Sequence, residues 1–149
     1  RVDSMDSDAD VVVVFGGTND FGHGDAKLGT FESRDPYTFY GAMHVLCEKL
    51  INRFPNADIL FMTPLHRCSE DEVSKENGLP EETNLAGYVS IIREVAEFYG
   101  LPVLDLFSTS GLQPKVDIIK ETYMPDGLHP SDAGALRIAL RLMGFLQTL

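Results

Sequence analysis

Val11-Val12-Val13-Val14-Phe15 is an unbroken β-branched and aromatic run closed by Gly16-Gly17. A run without polar alternation, ended by two glycines, reads as a strand buried on both faces of a parallel sheet. Ile59-Leu60-Phe61-Met62, closed by Thr63-Pro64, and Val103-Leu104-Asp105-Leu106 repeat the pattern. Between them the apolar spacing becomes helical. Phe39, Met43, Leu46 and Leu50 share one face, and Leu85, Tyr88, Ile92, Val95 and Tyr99 share another. A last helix is expected from about Pro130 and Ser131, with Leu136, Ala139, Leu140, Met143 and Leu146 on its apolar side. Pro130 suits a first helical position, where its missing N–H costs nothing. Strands alternating with helices at these lengths argue for an α/β layer fold with right-handed crossovers.

The 149 residues, 44% hydrophobic, fit one domain (1–149) with a core of its own, and no repeat or linker interrupts them. The 12 basic and 23 acidic residues give a net charge of −11, which disfavours nucleic acid and anionic membrane surfaces as partners. The longest apolar stretch, Val11 to Phe15, is far short of the ~20 residues that cross a bilayer, so no membrane span is expected. Two cysteines, Cys47 and Cys68, read as free thiols in a reducing compartment, which points to the cytoplasm unless a leader has been removed. Cys47 sits beside Leu46 on a helix and reads as core, whereas Cys68 lies in a charged loop. His44 falls within a helix and reads as a surface or packing residue.

Two long loops, 22–35 and 66–82, follow the ends of the first two strands, where α/β folds keep their sites. Two short motifs carry chemistry. Gly17-Thr18-Asn19-Asp20 follows the first strand, and an Asn amide on a tight glycine turn can donate to a developing oxyanion. Asp126-Gly127-Leu128-His129-Pro130 precedes the last helix, and a carboxylate three residues before an imidazole can fix its tautomer and leave the other nitrogen as a base. Each has a plainer reading. Gly-Gly and Asp-Gly are turn formers, Asn suits a left-handed position, and His-Pro-Ser-Asp can serve only to cap a helix. A phosphate loop fits poorly, because no Gly-x-Gly-x-x-Gly or lysine follows and Asp20 would repel the anion. A metal site from His23, Asp25, Asp126 and His129 lacks any short ligand spacing.

The two motifs together resemble two signature blocks of the SGNH (GDSL) hydrolases, a family of serine esterases, lipases and acylhydrolases. Phe15 to His23, Tyr37-Thr38-Phe39-Tyr40 and Thr63-Pro64-Leu65-His66-Arg67 look like bacterial members of it. The resemblance implies a flavodoxin-like three-layer α/β/α domain with a parallel sheet. It implies His129 as general base, Asp126 as its partner and Asn19 as oxyanion donor, with Gly17 and Asp20 shaping the loop. His23 and His66 are candidate substrate-loop residues, although a solvated histidine is the plainer reading of each. It implies no cofactor and a small-molecule acyl ester as substrate.

No Gly-Asp-Ser occurs in the 149 residues. Val2-Asp3-Ser4 and Gly24-Asp25-Ala26 are decoys, the first ahead of a strand and the second with alanine in place of the hydroxyl. The expectation is therefore a partial domain whose first two strands, intervening helix and nucleophilic serine lie ahead of Arg1. Such a chain is expected to be inert by itself and to self-associate through an unpaired sheet edge. The rival from another class is a ligand-binding or interaction module that kept the fold without the catalysis.

Overall fold

The computed structural model describes residues 2–23, 27–71 and 83–149. After one turn of 3-10 helix at Val2–Ser4, the chain runs through β1 (Val11–Phe15), α1 (Thr18–His23), α2 (Phe39–Arg53), β2 (Asp58–Met62) and α3 (Leu85–Phe98). It continues through β3 (Val103–Leu104), α4 (Leu106–Thr109), α5 (Asp117–Tyr123) and α6 (Asp132–Leu146). The three strands form a parallel sheet in the order β1-β2-β3, with Val11 opposite Asp58 and Met62 opposite Leu104.

Helices flank both faces. On one, Phe39, Met43 and Leu50 of α2 and Leu85, Ile92 and Val95 of α3 pack with Val12, Ile59 and Phe61. On the other, Leu60, Met62 and Leu104 form a second cluster with Leu112 and Met124, covered by Ile138, Leu142 and Phe145 of α6. The alternation along β2 feeds both clusters, as a strand's two-residue side-chain period requires. Among the described residues no helix is long and apolar enough to cross a membrane.

Four expectations change. β1 is buried on one face only: Val12 is buried, but Val11, Val13 and Phe15 are 43%, 39% and 52% exposed. Among the described residues it ends the sheet, and α6 lies over the β2 side, so one face of the valine run is left uncovered. β3 stops after two residues because Asp105 accepts from the Ser108 N–H at 3.2 Å and turns the chain into α4. Ser131, not Pro130, opens α6: its hydroxyl accepts from the Gly134 N–H at 3.3 Å, leaving the proline outside the helix. The inner face of α6 is Ile138, Leu142, Phe145 and Leu146, so of the expected face Leu146 packs inward, whereas Leu136, Leu140 and Met143 point outward.

The helix caps follow from sequence. Thr38 accepts from the Gly41 N–H at 3.1 Å and Asn84 from the Gly87 N–H at 3.3 Å. Gly41 also lets α2 meet the chain before it, since a Cβ there would lie 2.0 Å from the Asp35 carbonyl oxygen. Cys47 is fully buried, and burial pushes its thiol up to about 12.

His44 is buried within an aromatic group of Phe31, Phe98 and Tyr99. Tyr99 donates its hydroxyl proton to Glu48 at 2.9 Å, so His44 Nδ1, 3.0 Å from that hydroxyl oxygen, donates its own hydrogen to it. Burial, helped by Arg34, holds the imidazole below its ordinary 6.5 against the pull of the Phe31 carbonyl, Glu48 and Glu94. The unfolded chain therefore takes up this proton more readily than the folded one. The His44 contribution is expected to be intact above about pH 6.5 and to be lost as pH falls below it. Urea unfolding at pH 7.5 and 5.5 checks this: the loss of stability on acidification shrinks in His44→Phe.

Candidate active site

At the C-terminal end of β1 the chain turns at Gly17, whose φ of +100° is costly for any side chain. A Cβ there would also lie 3.1 Å from Ile92 Cδ1 and 3.3 Å from Pro64 Cγ. The turn leads directly into α1, which contains Thr18, Asn19 and Asp20. What reads in sequence as a glycine loop is thus the first turn of a short helix. Phe21 anchors it, buried edge-on against Tyr88 at 5.8 Å between ring centroids. Asn19 is exposed on its outer side.

The second motif is tied down just as closely. Asp126 Oδ1 accepts from the N–H groups of Leu128 at 2.8 Å and His129 at 2.7 Å, and Oδ2 lies 2.7 Å from His129 Nδ1. One carboxylate therefore shapes the turn and orients the ring. The His129 side chain, then the two N–H groups, hold the Asp126 carboxyl well below the ordinary carboxylate range. With Nδ1 donating to Asp126, the neutral form of the ring has its lone pair on Nε2. The turn rests on α5 through the Gly127 N–H to the Met124 carbonyl at 2.8 Å, and the Ser131 N–H to the Tyr123 carbonyl at 2.8 Å.

The fold brings the two motifs to one cleft of ≈ 240 Å³. Phe15, Gly16, Thr18 and Asn19 form one wall, Leu128, His129 and Pro130 the opposite one, and Pro64 and Leu65 the floor beyond β2. Its lining is mostly apolar around these few polar groups, the composition of a small-molecule site. An imidazole held by a carboxylate, in one cleft with an amide donor, is a set of groups able to move a proton and stabilise an oxyanion.

Other candidates fall elsewhere. Gly17 and Asp20 border a neighbouring apolar hollow of ≈ 170 Å³ beneath Phe39, Met43 and Ile92. His23 ends α1 in solvent. His66 is not in the cleft lining: its Nδ1 lies 2.7 Å from Glu70 Oε2, and its ring lies over Phe107 with centroids 3.9 Å apart. Glu70 is buried, which pushes its carboxyl up, but hydrogen bonds from Gln113, Lys115, His66 and the Arg67 N–H outweigh this and hold it at about 2. Gly24, Asp25 and Ala26, and with Asp25 the alternative metal set, lie outside the described residues. Among the described residues no group of three or more His, Cys, Asp or Glu is placed to hold a metal ion.

Sequence reasoning missed the cleft's apolar walls, Phe15 and Leu128, and the network around Glu70. Nothing in the spacing of Glu70, Gln113 and Lys115 signals that they meet, because their encounter depends on tertiary packing.

Residues 1–137 match the family model described as GDSL-like Lipase/Acylhydrolase family. The chain belongs to this family. A solved crystal structure 39% identical to it superposes with a TM-score of 0.86, covering 100% of this chain and 69% of its own. A protein from Lactobacillus plantarum is 32% identical with a TM-score of 0.86, over 98% of this chain and 70% of its own. The lipase/acylhydrolase from Enterococcus faecalis is 21% identical with a TM-score of 0.58, over 93% of this chain and 62% of its own, a likeness of fold alone. No curated protein matches the chain.

Gly127 of this GDSL-like chain has a φ of +78°, and a Cβ on it would lie 2.5 Å from Cys68 Sγ. Gly127→Ala is expected to lower stability by about 1–3 kcal/mol, from backbone strain and the contact with sulfur. It is also expected to loosen the Asp126–His129 hydrogen bond. Chemical denaturation reads the first effect, and the downfield Nδ1 proton of His129 in NMR reads the second.

Proposed function

We propose that this chain supplies the base, its orienting acid and an oxyanion donor of a serine ester hydrolase, the nucleophilic serine lying outside these 149 residues. The reading is carried by one observation: Asn19 and His129, 110 positions apart in sequence, line the same cleft while Asp126 holds His129 Nδ1 at 2.7 Å.

In this mechanism His129 Nε2 takes the proton of the serine hydroxyl as its oxygen attacks the acyl carbon. Asp126 stabilises the imidazolium that forms. The carbonyl oxygen becomes an oxyanion and receives a hydrogen bond from the Asn19 amide. Collapse of the tetrahedral intermediate breaks the ester bond, and the imidazolium returns the proton to the departing alcohol. Water, deprotonated by the same imidazole, then hydrolyses the acyl-enzyme. The substrate in this reading is a small acyl ester, an acetylated sugar included.

The 149-residue chain is expected to leave nitrophenyl acetate untouched, because loss of a triad serine costs on the order of 10⁶ in turnover. An N-terminally extended protein is expected to hydrolyse it and to lose that activity in His129→Ala. Intact mass after fluorophosphonate treatment separates the alternatives: an adduct confined to the extended form supports an upstream serine. An adduct on the 149-residue chain moves the nucleophile to a local serine, with Ser4 first to examine. Full activity in His129→Ala removes His129 from the mechanism.

The partner interaction we propose is self-association through the open side of β1. Its exposed Val11, Val13 and Phe15 support this, as does its place at the end of the sheet among the described residues. Light scattering on the 149-residue chain is expected to show a mass that rises with concentration and falls back in Val13→Lys. A monomer at every concentration rejects it.

A further inference from the structure

We propose that Arg67 is a positioning residue for Asn19, an inference that rests on the oxyanion reading of that asparagine. α1 has only six residues, and Phe21 is its one buried side chain. A helix so short gains little from its own hydrogen bonds. A second constraint is needed if the exposed Asn19 amide is to stay aimed, and Arg67 provides it.

The Arg67 guanidinium sits along the flank of α1. Nη1 donates to the Thr18 carbonyl, the residue before Asn19, at a long 3.4 Å. Its carbon lies 5.4 Å from the centre of the Phe21 ring, a cation–π distance. Nε donates to Ser69 Oγ at 3.2 Å, fixing the plane of the group. Gly22 leaves room for it: a Cβ at that position would lie 2.8 Å from Nη1. A side chain at Gly22, the fifth residue of α1, would have to displace the end of that guanidinium.

The base of the arm is rigid. The Arg67 N–H donates to Glu70 Oε2 at 3.1 Å, and Glu70 is the buried carboxylate that also gathers His66 and Gln113. The next residue reaches the opposite wall of the cleft, where the Cys68 N–H donates to the Gly127 carbonyl at 2.9 Å. One short segment beyond β2 therefore touches both the helix that bears Asn19 and the turn that bears Asp126 and His129. Its length sets their separation. Lysine would keep the charge near Phe21 but lose the planar fork that joins Thr18 to Ser69.

Two readouts test this. In the ¹⁵N-labelled 149-residue chain, Arg67→Ala is expected to shift the Asn19 side-chain amide pair. It is also expected to speed exchange of the α1 backbone amides about 10-fold or more, while β2 amides keep their protection. Arg67→Lys is expected to repair neither, and it retains the charge should the alanine variant fail to fold. In the N-terminally extended protein, both variants are expected to lower kcat about 10–100-fold with KM within about twofold, the pattern of a misplaced transition-state donor. Unchanged Asn19 and α1 signals in both variants overturn the proposal, as does full rescue of kcat by lysine. An inert extended parent counts against the ester-hydrolase reading alone, and the amide measurements on the shorter chain still decide whether Arg67 orders α1.

Discussion

Strand β2 buries both of its faces, Ile59 and Phe61 in one apolar cluster and Leu60 and Met62 in the other. It pairs in parallel with β1 on one side and β3 on the other. β3 also reaches both, with Leu104 in one cluster and Val103 partly buried against the other, but it is two residues long, so the relative placement of α2 and α3 against α6 depends chiefly on the five-residue β2. The cleft depends on it too, because Pro64 and Leu65, immediately beyond its C-terminal end, form the floor between the Asn19 wall and the His129 wall.

Where β2 ends, a buried polar knot takes over from apolar packing. Thr63 is fully buried. Its hydroxyl donates to Asp105 Oδ1 at 3.0 Å and accepts from the Phe107 N–H at 2.9 Å. Asp105 in turn pairs with Arg93 of α3 at 2.5 Å. Burial pushes its carboxyl up, but the bonds from Ser108 and Thr63, with the Arg93 charge, outweigh this and keep it ionised below its ordinary value. A buried hydroxyl with both hydrogen-bonding roles filled adds direction to a junction that apolar contacts alone would leave free to slide. The segment leading to His66, Arg67 and Cys68 therefore leaves the sheet from a fixed point.

The three strands and α2, α3 and α6 were legible because they rest on local pattern, whereas the short α1, α4 and α5 were not read from it. The Ile59–Met62 run is apolar because both faces are covered, and Ser131, in the stretch read as a helix cap, accepts the Gly134 N–H. The same logic misread β1 and α6. A run of valines states that a strand is apolar, not that anything lies over it, and Val11, Val13 and Phe15 are open to solvent. In α6 apolar residues occur nearly all round the helix, so counting Leu136, Leu140 and Met143 cannot say which side turns inward. At the site, the Asp126–His129 pair was legible because both partners belong to one turn. The Glu70 network was not, since Gln113 and Lys115 reach it from more than forty residues away.

The site's exposure follows from the same open strand. The His129 and Asp126 side chains are 75% and 55% exposed, and a carboxylate so open to water is screened by it. Oxyanion stabilisation draws its strength from a preorganised, water-excluded setting. Phe15 lines the cleft and also closes the uncovered face of β1, so it belongs to both surfaces. A segment laid along β1 would dehydrate Phe15 and the cleft rim in one step, and it is also the place from which the proposed mechanism draws its serine. On the proposed reading, sheet completion and site completion would be a single event. Asn19, Asp126 and His129 would be assembled and aligned before it, held by Arg67 and Cys68 at the end of β2, and made electrostatically effective only by it.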